Sequence, residues 1–177
     1  MKRSLLSLSI ALLLLLTVAC SGGKNPTPSE TFQLYLKALS EGNLEEAGKY
    51  VEGGIQMADG MEALYQEASK FYSAFQAEIL KETIDGDKAI LAIELTIPDQ
   101  EQLSGQVFSK LSEEGISLDV LDESVIEKIV DVVKTINYAT IDTITEPDEL
   151  TMVKKDGQWL IPQQYDLSGS IVYTFFP

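Results

Sequence analysis

Beyond Arg3 the chain carries neither histidine nor arginine, so its chemistry has to come from carboxylates, lysines, aromatic rings and one cysteine, Cys20. Histidine is the usual general base and the commonest transition-metal ligand. Arginine is the usual bidentate clamp for carboxylates and phosphates. A Ser-His-Asp triad, a histidine-based zinc site and an arginine clamp are therefore out of reach, which counts strongly against ordinary hydrolytic enzymes. A lone carboxylate could still act as a base, and Glu94, on an alternating apolar stretch, is the first candidate, with Asp142 a weaker second. The simpler reading of both is a strand residue facing solvent. The acid clusters Asp85-Asp87, Asp119-Asp122-Glu123 and Glu146-Asp148-Glu149 lack the alternate spacing, fixed glycine and terminal glutamate of a linear calcium loop. Turns and helix caps account for them. Phe71, Tyr72, Phe75, Ile90, Ala92 and Trp159 could line an apolar ligand pocket at the mouth of a sheet. For the aromatic stripe, packing against the sheet is the commoner explanation, and Trp159 beside a hairpin turn reads as a core plug. No catalytic residue, metal site or cofactor is assigned.

The cysteine sits where an apolar run stops. Lys2 and Arg3 give a positive start, and Ser4 to Ala19 contains no charge. At about 1.5 Å per residue such a helix is short of the roughly 20 residues that span a bilayer comfortably. A positive start, a short apolar stretch and small residues before a break mark a signal peptide. Leu16-Thr17-Val18-Ala19-Cys20 resembles the lipobox of bacterial lipoproteins, in which the cysteine becomes the N-terminus and carries acyl chains. Leucine usually stands three places before the cysteine, where this chain has Thr17, with Leu16 one further back. An uncleaved anchor and a plain secretory peptide are the alternatives. The resemblance implies lipidation at Cys20, such as palmitate, and a domain held on the extracytoplasmic face of a cell membrane by at least two chains. Residues 20–28 then read as the lipidated cysteine and a flexible tether, small, polar and proline-bearing. With no second cysteine, the exported domain must be held together by its core.

Cleavage before Cys20 would leave 158 of the 177 residues, one domain's worth, with eleven lysines against 28 acids and a net charge of −17. Such a surface repels nucleic acid and anionic headgroups. Nucleic acid is excluded as a partner; a small apolar ligand or an envelope protein fits better.

Candidate ligands need elements to hold them. Ser29 reads as a helix cap, followed by Phe32, Tyr35, Leu36 and Leu39 at helical spacing. Gly42-Asn43 breaks that helix, a short one follows over 44–50, and Met61 to Tyr72 forms another. From Phe75 the pattern turns to strand, and Ile84-Asp85-Gly86-Asp87-Lys88 signals a tight turn. Ala89, Leu91, Ile93, Leu95 and Ile97 then alternate along one apolar face. Residues 99–137 read as an inserted helical pair, with Gly115 ending the first helix and Asp122 capping the second. Tyr138 to Thr145 reads as strand, Glu146-Pro147-Asp148 as a turn, and Leu150 to Lys154 pairs with Gln158 to Ile161 across Asp156-Gly157. The apolar tail, Leu167 to Pro177, is expected to be a last strand or a segment for a partner.

The segments PTPSETFQLYLKALSEGNLEEAGKYV, IDGDKAILAIELTIPD and LTMVKKDGQWLIP resemble a family of small Gram-positive lipoproteins of unknown function with a nuclear-transport-factor-like, cystatin-like α+β fold. The likeness covers about residues 26–162, and its motifs are structural. It implies N-terminal helices on a curved antiparallel sheet with an inserted helical pair, after a separate signal helix: residues 1–19 signal, 20–28 tether, 29–177 one domain. Some proteins of that general fold are isomerases or dehydratases working in the concavity of the sheet, often with an Asp-His pair that this chain cannot supply. One fold hosts many functions. The leading expectation is a non-enzymatic binding or interaction module of the cell envelope. A carboxylate-dependent isomerase or dehydratase is the alternative, and a structural protein whose insert docks a neighbour is the third.

Overall fold

Thr27, rather than Ser29, caps the first helix. In the computed structural model, which describes residues 25–57, 60–117 and 123–169, its hydroxyl accepts from the Glu30 amide at 3.2 Å, and the Thr27 amide donates to the Glu30 carboxylate at 2.8 Å. This reciprocal capping box satisfies two amides that would otherwise lack partners. Pro28, whose φ suits a first helical position and which has no amide to lose, begins α1 (Pro28–Ser40). Ser29 instead binds the Glu82 carboxylate through both its amide, at 2.9 Å, and its hydroxyl, at 2.5 Å. That contact ties the start of α1 to the sheet. Gly42, at φ +69°, turns the chain into α2 (Leu44–Gly48), and α3 (Glu62–Tyr72) follows.

The sheet is antiparallel with order β1-β2-β3-β4, made of β1 (Gln76–Asp85), β2 (Lys88–Pro98), β3 (Thr143–Lys155) and β4 (Gln158–Leu160). Between β2 and β3 lie α4 (Gln100–Glu113) and α5 (Glu123–Lys134), the inserted pair. Asp99 caps α4 by accepting from the Gln102 amide at 3.0 Å, and Gly115, at φ +68°, lies just past its end. Among the described residues, five α-helices packed against four strands make this an α+β fold. Ala89, Leu91, Ile93 and Leu95 enter the core as the alternation on β2 implies, against Phe32, Leu36 and Leu39 of α1 and the aromatic side of α3. On the insert, Leu103, Val107 and Leu111 meet Ile129, Val130, Val132 and Val133.

Three expectations change. Glu146-Pro147-Asp148 is not a turn: β3 runs straight through it, with Pro147 opposite Glu94 of β2. β4 pairs with β3 only from Val153 to Lys155, so among the described residues no strand flanks the far side of β3 at Pro147 to accept a hydrogen bond. Proline is tolerated in a sheet at such an edge position. Tyr138–Thr140 forms a single 3₁₀ turn before the strand begins. Leu167–Gly169 is another 3₁₀ turn, while the rest of the expected last strand, like the signal, Cys20 and the Asp122 cap, lies outside the described residues. The hairpin at Asp156-Gly157 forms with both residues at positive φ, +50° and +81°, the type I′ geometry that matches strand twist. The Asn25 side-chain amide donates to the Gly157 carbonyl at 2.8 Å, fixing the entry of the domain against this hairpin tip.

Candidate functional site

The two faces of β2 divide the residues singled out in the sequence. Ile90, Ala92 and Glu94 lie on the outer face, where Ile90 is 40% exposed and the Glu94 side chain points to solvent. Glu94 stands directly across from Glu78 on β1 and Pro147 on β3. Like charges paired across strands repel, and this carboxylate is exposed. As an inward base Glu94 is therefore mistaken: the odd-numbered residues of β2 face the core, and position 94 falls on the other side of the pleat. Asp142 has a structural role. Its carboxylate accepts from the Gln102 side chain at 2.8 Å, its amide donates to the Gln102 oxygen at 3.1 Å, and its carbonyl accepts from the Asp99 amide at 2.7 Å. Together these bonds close the insert at its base.

Phe71, Tyr72 and Phe75 are buried in the core and pack edge-to-face, with ring centroids 5.1 to 5.7 Å apart. They fill space rather than line it. Trp159 is also buried, with the Lys154 ammonium 5.4 Å from its ring centre. Its edge borders a depression of about 480 Å³ with Pro26, Thr31, Lys49, Tyr50 and Gln158, away from the aromatic trio. The sequence candidates therefore do not converge on one site.

A different set does. On the inner face Ile93 and Leu95 of β2 stand opposite Asp148 and Glu146 of β3, with Leu150 two residues further on. Phe32 of α1 and the turns at 163–167 close the space, leaving a cavity of about 300 Å³ lined also by Gln164, Tyr165, Asp166 and Leu167. Its walls are mostly apolar.

The turn wall is held by a polar knot. The Tyr35 hydroxyl donates to Asp166 at 2.6 Å and accepts from the Leu167 amide at 2.7 Å. Ser168 donates its amide and its hydroxyl to the two Asp166 oxygens, at 3.0 and 2.6 Å. The Tyr72 hydroxyl donates to the Ser168 carbonyl. Burial, then the charge of Asp166, raises the Tyr35 hydroxyl far above the usual tyrosine range, and burial does the same to Tyr72. Both phenols are thus neutral donors at any physiological pH, and Asp166 has three donors on its carboxylate.

Asp148 differs. Its Oδ1 accepts from the Glu149 amide at 2.7 Å, while Oδ2 has no hydrogen-bond partner among the described residues. It stands exposed at the rim. Sequence reading placed Asp148 in a turn. The inner-face alternation of β2 was legible, but the strand opposite arrives after a long insertion, so which acids face it was not.

No family model matches the chain, and no curated protein matches it. Among solved structures, the chain is similar to a protein assigned as a lipoprotein, ycdA of Bacillus subtilis, at 16% identity and TM-score 0.41, over 85% of this chain and 47% of that one. The chain thus spans about half the length of that protein. It is also similar to AclR of Streptomyces galilaeus, assigned as a hydroxylase, at 12% identity and TM-score 0.37, over 76% of this chain and 74% of the other. A third, from Xanthomonas campestris, is assigned as a calcium/calmodulin dependent protein kinase II association domain, at 12% identity and TM-score 0.37, over 81% and 92%. At these scores the likenesses carry no argument for a shared fold or function.

Proposed function

We propose that this chain is a lipoprotein anchored through Cys20, whose domain binds a small apolar molecule in the cavity between the inner sheet face and the 163–167 turns, without catalysing a reaction. The observation that carries the binding reading is the lining itself: Phe32, Ile93, Leu95, Leu150 and Leu167 surround about 300 Å³, the low end of the usual range for ligand pockets. Two carboxylates meet that space, and its described lining holds no nucleophile paired with a base. The anchoring reading rests on the charge-free run that ends at Cys20. Among the described residues no helix is long and apolar enough to cross a membrane.

Two measurements test it. Mass spectrometry of the membrane fraction should find an acylated N-terminal peptide beginning at Cys20, and Cys20→Ala should abolish it. A Cys20→Ala chain that stays uncleaved in the membrane would instead make the leader a permanent anchor. For the cavity, calorimetry of the full chain in phosphatidylcholine nanodiscs, with empty discs subtracted, should detect a neutral probe such as 3-ethylindole. Leu167→Trp, which fills the space from a half-buried position, should remove that heat while leaving the melting temperature within a few degrees. Undiminished binding by the variant would place the probe elsewhere. The alternative, a carboxylate-dependent isomerase or dehydratase, would have to use Asp148, whose Oδ2 has no hydrogen-bond partner among the described residues.

A further inference from the structure

We propose, building on the cavity reading, that the ligand is an apolar molecule with a single ammonium group, received by Asp148 at the rim. Among the described residues, the charged side chains lining the cavity are Asp148 and Asp166, with no lysine. Asp166 is committed to Tyr35 and Ser168, so it contributes negative potential but its oxygens already hold the turn. Asp148 Oδ2 has no hydrogen-bond partner among the described residues, and the side chain lies on the same inner face as Ile93, one strand-repeat from Glu146, which stands opposite Leu95. A carboxylic acid or phosphate in this space would meet two negative charges and no cationic donor among the described lining residues. An ammonium would meet an unengaged carboxylate oxygen while its carbon skeleton lies on Phe32, Leu95 and Leu150.

The molecule's overall charge acts in the same direction. With 28 acids against 13 basic residues the chain is strongly negative, so its field concentrates cations and steers them inward. Apolar walls give affinity without preference among ligands of one shape, and charge supplies the discrimination. The cavity is small enough to confine the skeleton to one or two rings.

Three molecules of one shape separate these contributions: tryptamine, 3-ethylindole and indole-3-propionate, cationic, neutral and anionic. Titrated into the full chain in phosphatidylcholine nanodiscs, tryptamine should bind about three- to tenfold more tightly than 3-ethylindole, and indole-3-propionate most weakly. Asp148→Asn, at an exposed position that does not support the core, should bring tryptamine down to the neutral level and leave 3-ethylindole unchanged. Raising the salt should narrow the same gap, because exposed charges are screened within about 10 Å at 0.1 M. Equal affinities for the three, all abolished by Leu167→Trp, would keep the cavity and overturn the cation preference. So would a tryptamine preference that survives Asp148→Asn. If a correctly folded chain binds none of the three, the cavity reading itself falls.

Discussion

Two tyrosines bury their hydroxyls differently, and the difference sets the sign of what their removal does. Tyr72 donates to the Ser168 carbonyl, whereas the Tyr138 hydroxyl is buried with no hydrogen-bond partner among the described residues. Tyr72→Phe strands a buried carbonyl and should cost about 1–3 kcal/mol, while Tyr138→Phe deletes an unsatisfied group and should be neutral or stabilising by about 1 kcal/mol. Urea unfolding of both variants checks this. Alkali adds a second check. Burial, then the nearby Glu67 charge, pushes Tyr138 up to about 12, and Tyr72 is raised further. An unfolded tyrosine titrates near 10, so above that pH the unfolded chain releases protons the folded one retains. The stabilising contribution is whole below pH 10 and is lost as pH rises through the folded values. Each phenylalanine variant should make stability fall less steeply between pH 10 and 12. At this scale the sequence conveys residue type well and partnership poorly: a tyrosine at helical spacing announces a buried ring, but nothing near Tyr72 in sequence announces Ser168.

Local backbone signals carry the elements whose partners are near in sequence. Asp156-Gly157 between alternating runs implies a type I′ hairpin, and both residues adopt the positive φ it needs. Gly157→Val should therefore cost roughly 1 kcal/mol or more, since a β-branched residue strains there, and its Cβ would press the Asn25 side chain at 3.2 Å. Gly42→Ala should be worse than its φ of +69° alone implies, because the new Cβ would lie 2.7 Å from the Ser69 Cβ of α3. We expect a loss of about 2 kcal/mol or more; thermal melts of the two variants, ranked against Gly86→Ala at an open turn, provide the comparison. The inserted pair was legible for the same local reason, from Gly115 and the apolar spacing of α5. The long β3 was not. Proline followed by acids reads as a turn, but β4 does not reach Pro147, so its missing amide breaks no pairing with β4 and β3 continues. The same non-local pairing brings Asp148 rather than Glu94 to the cavity, so the site was illegible where the fold was legible.

At the scale of the whole molecule, the core is built without disulfide or histidine, from α1, α3 and the insert against one sheet face. The opposite face of β2 is mixed, carrying Lys88, Ile90, Ala92, Glu94 and Thr96. One contact bears on how such a domain would stand on a surface. Asn25 is bound to Gly157 at the tip of the β3–β4 hairpin, and five residues after Cys20 can reach at most roughly 17 Å at full extension. An acylated Cys20 would thus moor the molecule hairpin-first on a short leash. From Lys155 back to Asp148 along β3 is roughly 23 Å at about 3.3 Å per residue, so a domain standing hairpin-first would hold the cavity rim about that far above its mooring. Spin labels test this directly: with Cys20 acylated, an introduced cysteine is the only free thiol. A label at Asp156→Cys should be strongly relaxed by a nickel-chelating lipid, and one at Gln164→Cys much less. Equal relaxation would mean the domain tumbles freely about its mooring. A fixed height would leave the cavity sampling solutes in the space outside the membrane, with the bilayer serving as a floor rather than a source.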